Sequence, residues 1–154
     1  MATLLGNNLL VRLGADETGD VILCATNCTL NINQATTESS CKGDPDSGGN
    51  KWSTSIASTA TWNISTDGLY DPAIASKSYD ALAKYIIDDA NGTADNSVSV
   101  VFQIINSGAI AGDVEYYSGT AIITSCVLNG PVDEFATYTV EMKGTGALAQ
   151  NVKV

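Results

Sequence analysis

The chain has 154 residues, with 7 basic against 17 acidic side chains, a formal net charge of −10 and no histidine. That length holds one domain with a real core; the charge repels phosphate and anionic lipid; and the missing imidazole removes Ser-His-Asp and Cys-His catalysis, H-E-x-x-H zinc chemistry and the two-His facial triad. Charged residues make up only 16% of the chain, against roughly 25% usually, so the surface is expected to be polar but uncharged, or buried against neighbours.

Met1 to Leu10 has no basic n-region, and Gly6, Asn7 and Asn8 interrupt its leucines. No signal peptide is expected, and no run approaches the roughly 18 apolar residues of a membrane span, so no membrane anchor is expected either. Asn8 to Leu13 and Val21 to Ala25 read as short strands around the turn Asp16-Glu17-Thr18-Gly19. Asn27 to Gln34 alternates Cys28, Leu30 and Ile32 against Thr29, Asn31 and Asn33, the period of a strand with one polar face. Gly43 to Asn50 is a Gly-rich stretch expected to be an extended loop between two strands. Beyond it, Ala60 to Ser65 alternates Ala60, Trp62 and Ile64 against Thr61, Asn63 and Ser65.

One segment has helical spacing. Tyr79, Leu82, Ala83, Ile86 and Ile87 form an apolar stripe, with Tyr79, Leu82 and Ile86 as the core face. Ser76 or Ser78 can cap its start, and Asn91-Gly92 supplies a left-handed stop. Asp80, Lys84, Asp88 and Asp89 are expected in solvent. Ser97 to Ile105, Thr120 to Leu128 and Thr137 to Met142 complete the strands, and Thr120 to Leu128, apolar on both faces, reads as central or interfacial. The expected fold is mainly β, a β-sandwich or flattened barrel with one flanking α-helix, in a single domain over residues 1–154.

Candidate chemistry is sparse. Cys24, Cys28, Cys41 and Cys126 are spaced C-x3-C-x12-C-x84-C, without the paired knuckles of an all-cysteine zinc site, and read as small reduced hydrophobes. Asp44 to Gly49 places Asp at the first and third positions of an EF-hand-like loop, but Gly48 and Ser55 fall where ligands are needed. Gly144-Thr145-Gly146-Ala147-Leu148-Ala149 fits a dinucleotide fingerprint without room for the helix and strand that must follow. No catalytic residue, cofactor or metal is expected. What remains is the uncharged face formed by Thr29, Asn31, Asn33, Thr61, Asn63, Ser65, Thr137 and Thr139, either an exposed sheet or a lumen wall that a polymer passes without sticking.

Thr36 to Lys42, Lys51-Trp52 and Ala60 to Tyr70, followed by Tyr117 to Cys126, Gly130 to Tyr138 and Gly144 to Leu148, resemble the long-tailed phage major tail (tail tube) protein family. Gly6 to Arg12 is similar to the family's usual start. The resemblance implies hexameric rings, each subunit giving strands to a continuous inner barrel, stacked into a tube that conducts DNA in transit without specific binding. It also implies a virion location after assembly in the host cytoplasm, with tape-measure, tail tip and tail terminator proteins as partners, and without the C-terminal Ig-like decoration domain of some relatives. Thr37, Lys42, Asp44, Asp46, Asn50, Lys51 and Trp52 are then the candidate contacts between subunits or rings. The tube of a contractile tail or injection device, and a monomeric binding sandwich, stand as alternatives.

Overall fold

The computed structural model describes residues 4–22, 25–39, 54–73 and 79–154. Among these, seven strands form one antiparallel sheet in the order β2-β1-β5-β6-β7-β4-β3. They are β1 (Leu9–Leu13), β2 (Asp20–Val21), β3 (Ala25–Ser39), β4 (Thr54–Leu69), β5 (Ser97–Ile104), β6 (Val114–Asn129) and β7 (Thr137–Val152), with helix α1 (Tyr79–Ala90) between β4 and β5. The expected flattened barrel thus takes the form of a single curled sheet. Its two ends approach where the Cys28 thiol of β3 donates to the Leu9 carbonyl of β1 at 3.2 Å.

Register explains the core. Leu9 pairs with Ile104, Val11 with Phe102, Val98 with Ala121, Ile123 with Met142, Ile64 with Met142 and Leu30 with Ile64. Directly paired residues share a face, so every strand from β1 to β3 turns its apolar set inward. Val11, Trp62, Ile64, Val98, Val100, Phe102, Ala121, Ile123, Tyr138, Val140 and Met142 are buried in one cluster with Leu82 of α1. β6 lies at the centre of the sheet, as its two-sided apolar pattern implied.

Helix α1 packs into this concave side. Leu82 is buried, and Tyr79, Tyr85 and Ile86 lean on the cluster; the Tyr79 ring sits 6.3 Å from that of Tyr138. The Tyr70 hydroxyl donates to Asp80 Oδ2 at 3.2 Å, so Asp80 is not purely a solvent group. Ile87, read as part of the stripe, is instead 57% exposed. The stripe drifts because 3.6 residues per turn carry adjacent Ile86 and Ile87 about 100° apart, and Tyr85 takes the inner place. Gly92, at φ +70°, ends the helix with the left-handed conformation expected of it. The candidate caps Ser76 and Ser78 lie outside the described residues.

The strands run longer than their alternation indicated, and the stretch expected as one strand from Val21 to Ala25 is divided. Asp20–Val21 pairs with β1, whereas Ala25 begins β3. No described helix is long and apolar enough to cross a membrane.

Candidate functional site

All eight residues of the anticipated polar face lie on the convex side of three adjacent strands. Thr29 pairs with Ser65, Asn31 with Asn63 and Asn33 with Thr61 between β3 and β4; Asn63 pairs with Lys143, Asp67 with Thr139 and Leu69 with Thr137 between β4 and β7. Rows therefore cross the sheet, the longest being Asn31, Asn63, Lys143, Ile122 and Ser97. Asp67, Glu141 and Lys143 put a few charges into this face, and Ile122 and Val127 leave apolar points on it. The Thr139 hydroxyl donates to Asp67 Oδ1 at 2.7 Å, and the Thr124 hydroxyl to the Glu141 carbonyl at 3.1 Å. Each of these two hydroxyls uses its one donor within the face.

The residues anticipated for subunit contacts are divided. Thr37 is exposed on β3, paired with Ile56; Lys42, Asp44, Asp46, Asn50, Lys51 and Trp52, with the Gly43 to Asn50 stretch, lie outside the described residues. The arms that carry this segment are long. β3 and β4 remain paired out to Ser39 and Thr54, through an irregularity at Gln34/Thr36, well beyond the last β4–β7 pair at Asn63 and Lys143.

At that divergence sits an arrangement with no ready sequence signature. Trp62 is buried between the parting strands, and its Nε1–H donates to the Gly146 carbonyl at 3.1 Å. A Cβ on Gly144 would lie 2.1 Å from Trp62 Cε2, and one on Gly119 2.6 Å from Trp62 Cζ2. Both glycines make room for the indole. Between the pairs Ser118–Ala149 and Thr120–Thr145, the segment Gly146–Leu148 stands opposite Gly119 alone, a special bulge of three residues against one that uses the +81° φ of Gly146. The glycines that mimic a dinucleotide fingerprint thus serve packing and curvature.

The two ends of the sheet differ. One holds the β6–β7 connection, Gly130 to Ala136, where Val132 is 88% and Phe135 81% exposed. The Ala136 carbonyl accepts from the Tyr70 amide at 2.9 Å, and Asp133 adopts a φ of +63°. At the other end, β3 and β4 project past the bulge of β7 and enclose a groove of about 910 Å3 lined by Ile32, Ala60, Trp62, Tyr117 and Leu148 among others.

Cys28 and Cys126 are free and half-buried, as small hydrophobes in strands; Cys24 and Cys41 lie outside the described residues. Burial pushes the Cys126 thiol up to about 11 and raises Cys28 as well. Both thiols are therefore protonated at neutral pH. Site-mapped alkylation of folded protein at pH 8 is expected to be slow at Cys126 and to accelerate towards pH 11; a rate matching the unfolded chain at pH 8 would contradict this. Because the folded-state value lies above the ordinary thiol value of 9.0, this group's contribution to stability is intact below pH 9 and declines as pH rises towards 11.

A sequence profile of the phage tail tube protein matches residues 6–150. No curated protein matches by sequence. Among solved structures, the tail of an empty gene transfer agent particle, refined with C6 symmetry, matches with a TM-score of 0.72 at 19% identity, covering 97% of this chain and 99% of that one. The SPP1 tail tube matches at 0.60 and 11% identity, over 99% and 81%. A chain of the sheath–tube complex of an extracellular contractile injection system matches at 0.59 and 13%, over 95% and 89%. At these identities the likeness is one of fold.

Proposed function

Since the chain belongs to the phage tail tube protein family, we propose that it is a structural, non-enzymatic subunit whose six-membered rings stack into a passive conduit for DNA. The observation that carries this reading is the convex face of β3, β4 and β7, where Ser, Thr and Asn pair directly across β3 and β4 and the rows continue onto β7 at Thr139, Glu141 and Lys143. The C6 symmetry of the similar gene transfer agent tail supports six copies per ring. Turned towards a bore, such a face gives phosphate few cations to bind, and the −10 on each copy adds repulsion.

The outer edge of β3 and the short β2, which end the sheet among the described residues, suit ring closure. An unpaired edge is an aggregation hazard in a monomer and is satisfied by a neighbour in a closed head-to-tail ring. Tape-measure, tail tip and terminator proteins are the partners such a tube requires, and assembly in the host cytoplasm accords with a virion tail. The fold shared with the injection-system chain supports the tube of a contractile device as a second reading, which co-sedimentation with a sheath protein would favour.

Negative-stain microscopy of the purified protein is expected to show rings or tubes with a central hole; a species of 15.9 kDa at every concentration would instead support a monomeric binding domain. Thr37 and the segment from Lys42 to Trp52 are proposed to reach a neighbouring ring or subunit, because Thr37 lies on the projecting part of β3 and the segment joins the far ends of β3 and β4. Deleting Asp44 to Gly49 is expected to leave the far-ultraviolet circular dichroism unchanged while abolishing polymerisation; tubes of normal length would refute that role.

A further inference from the structure

Resting on the tube reading, we infer that the β6–β7 connection of one subunit, through Val132 and Phe135, docks into the groove at the opposite end of a subunit in the adjacent ring. Three observations carry this. First, the two side chains are almost wholly exposed, at 88% and 81%, although the loop bearing them is tied to the sheet by the Tyr70 amide and holds a non-glycine residue, Asp133, at positive φ. A loop that spends backbone strain to present two large apolar groups to water is shaped for contact.

Second, the groove has matching chemistry. Ile32, Ala60, Trp62, Tyr117, Gly146 and Leu148 line it, Ile32 is 58% exposed, and none of the six carries a charge. Third, loop and groove lie at opposite ends of β7, separated by the run from Thr137 to Leu148, roughly 35 Å at about 3.3 Å per residue. A knob and a hole at opposite ends of one subunit cannot satisfy each other within it. Between copies aligned along the strand direction they form a heterologous contact, and its repetition is axial stacking. The occupant is therefore a second copy of this chain.

Phe135→Asp and Ile32→Glu place a charge on the knob and in the groove at positions already exposed, so folding is expected to survive both. Each is expected to give rings by microscopy and light scattering that do not lengthen into tubes, with a melting curve close to wild type. A mixture of Phe135→Cys and Ala147→Cys subunits, co-assembled and treated with a short bis-maleimide, is expected to give a crosslinked species of twice the chain mass, with the link mapped to residues 135 and 147. Tubes of wild-type length from both charged variants, or a crosslink confined to other pairs, would overturn the docking while leaving the tube reading intact. Wild-type protein that never forms rings or tubes would overturn both. Capture of a different apolar partner by the groove in place of a second copy would appear as unchanged stacking in both variants.

Discussion

Gly144→Val is expected to unfold the subunit or to lower its stability by about 3 kcal/mol or more, the upper part of the range for overpacked cores. The reason is local. A Cβ at 144 falls 2.1 to 2.4 Å from three atoms of the Trp62 indole, and that ring is held by its bond to the Gly146 carbonyl and by near-complete burial. Trp62→Ala is expected to cost about 3–5 kcal/mol, the range for deleting a large aromatic from a core. Combining Trp62→Ala with Gly144→Ala is expected to cost far less than the sum, because the clash disappears with the ring. Denaturant melts in the Phe135→Asp background at one fixed protein concentration would remove the contribution of stacking and hold that of ring formation constant. Strict additivity of the two substitutions would show that Trp62 does not pack on Gly144.

The second large effect concerns the polar face. Asn31→Arg, Asn63→Arg and Ser65→Arg together are expected to leave folding and ring formation intact, since Asn31 is exposed and Asn63 and Ser65 are only half-buried. Repeated around a ring, they would convert a wall that avoids phosphate into one that holds it. Duplex DNA is expected to co-sediment with variant tubes at about 50 mM salt and to be released by about 200 mM, because each neutralised phosphate contributes roughly −0.9 to the slope of log K against log salt. Wild-type tubes are expected to retain none at either concentration. Failure of the variant tubes to retain DNA would place this face away from the bore.

Much of this was legible from alternation alone. The polar and apolar positions of Asn27 to Gln34 and Ala60 to Ser65 have a strict period of two, and a face set by that period survives errors in strand length. All eight polar positions therefore come together even though β3 and β4 extend far past the segments that showed them. Lengths were illegible because Thr36 to Ser39 holds no apolar residue and Thr54 to Ser58 holds only Ile56 and Ala57, adjacent and so on opposite faces, leaving no alternation to read. The pocket around Trp62 was hidden for another reason: Gly119 and Gly144 lie on different strands, and only pairing reveals that both face one indole. Val132 and Phe135 carried a faint signal as large apolar residues within Gly130-Pro131 turn chemistry, where polar groups are usual.

The strand order has a consequence for timing. Among the described residues the β3–β4 hairpin joins the strand ladder only through β7, the last described strand, and meets β1 only where the Cys28 thiol donates to the Leu9 carbonyl. A nascent polypeptide can form the hairpin from local contacts, and can add β5 to β1 and β6 to β5, but the two halves stay unjoined until residues 137–152 have been made. Surfaces built across both halves, the groove around Trp62 among them, are therefore expected only after β7 has been inserted.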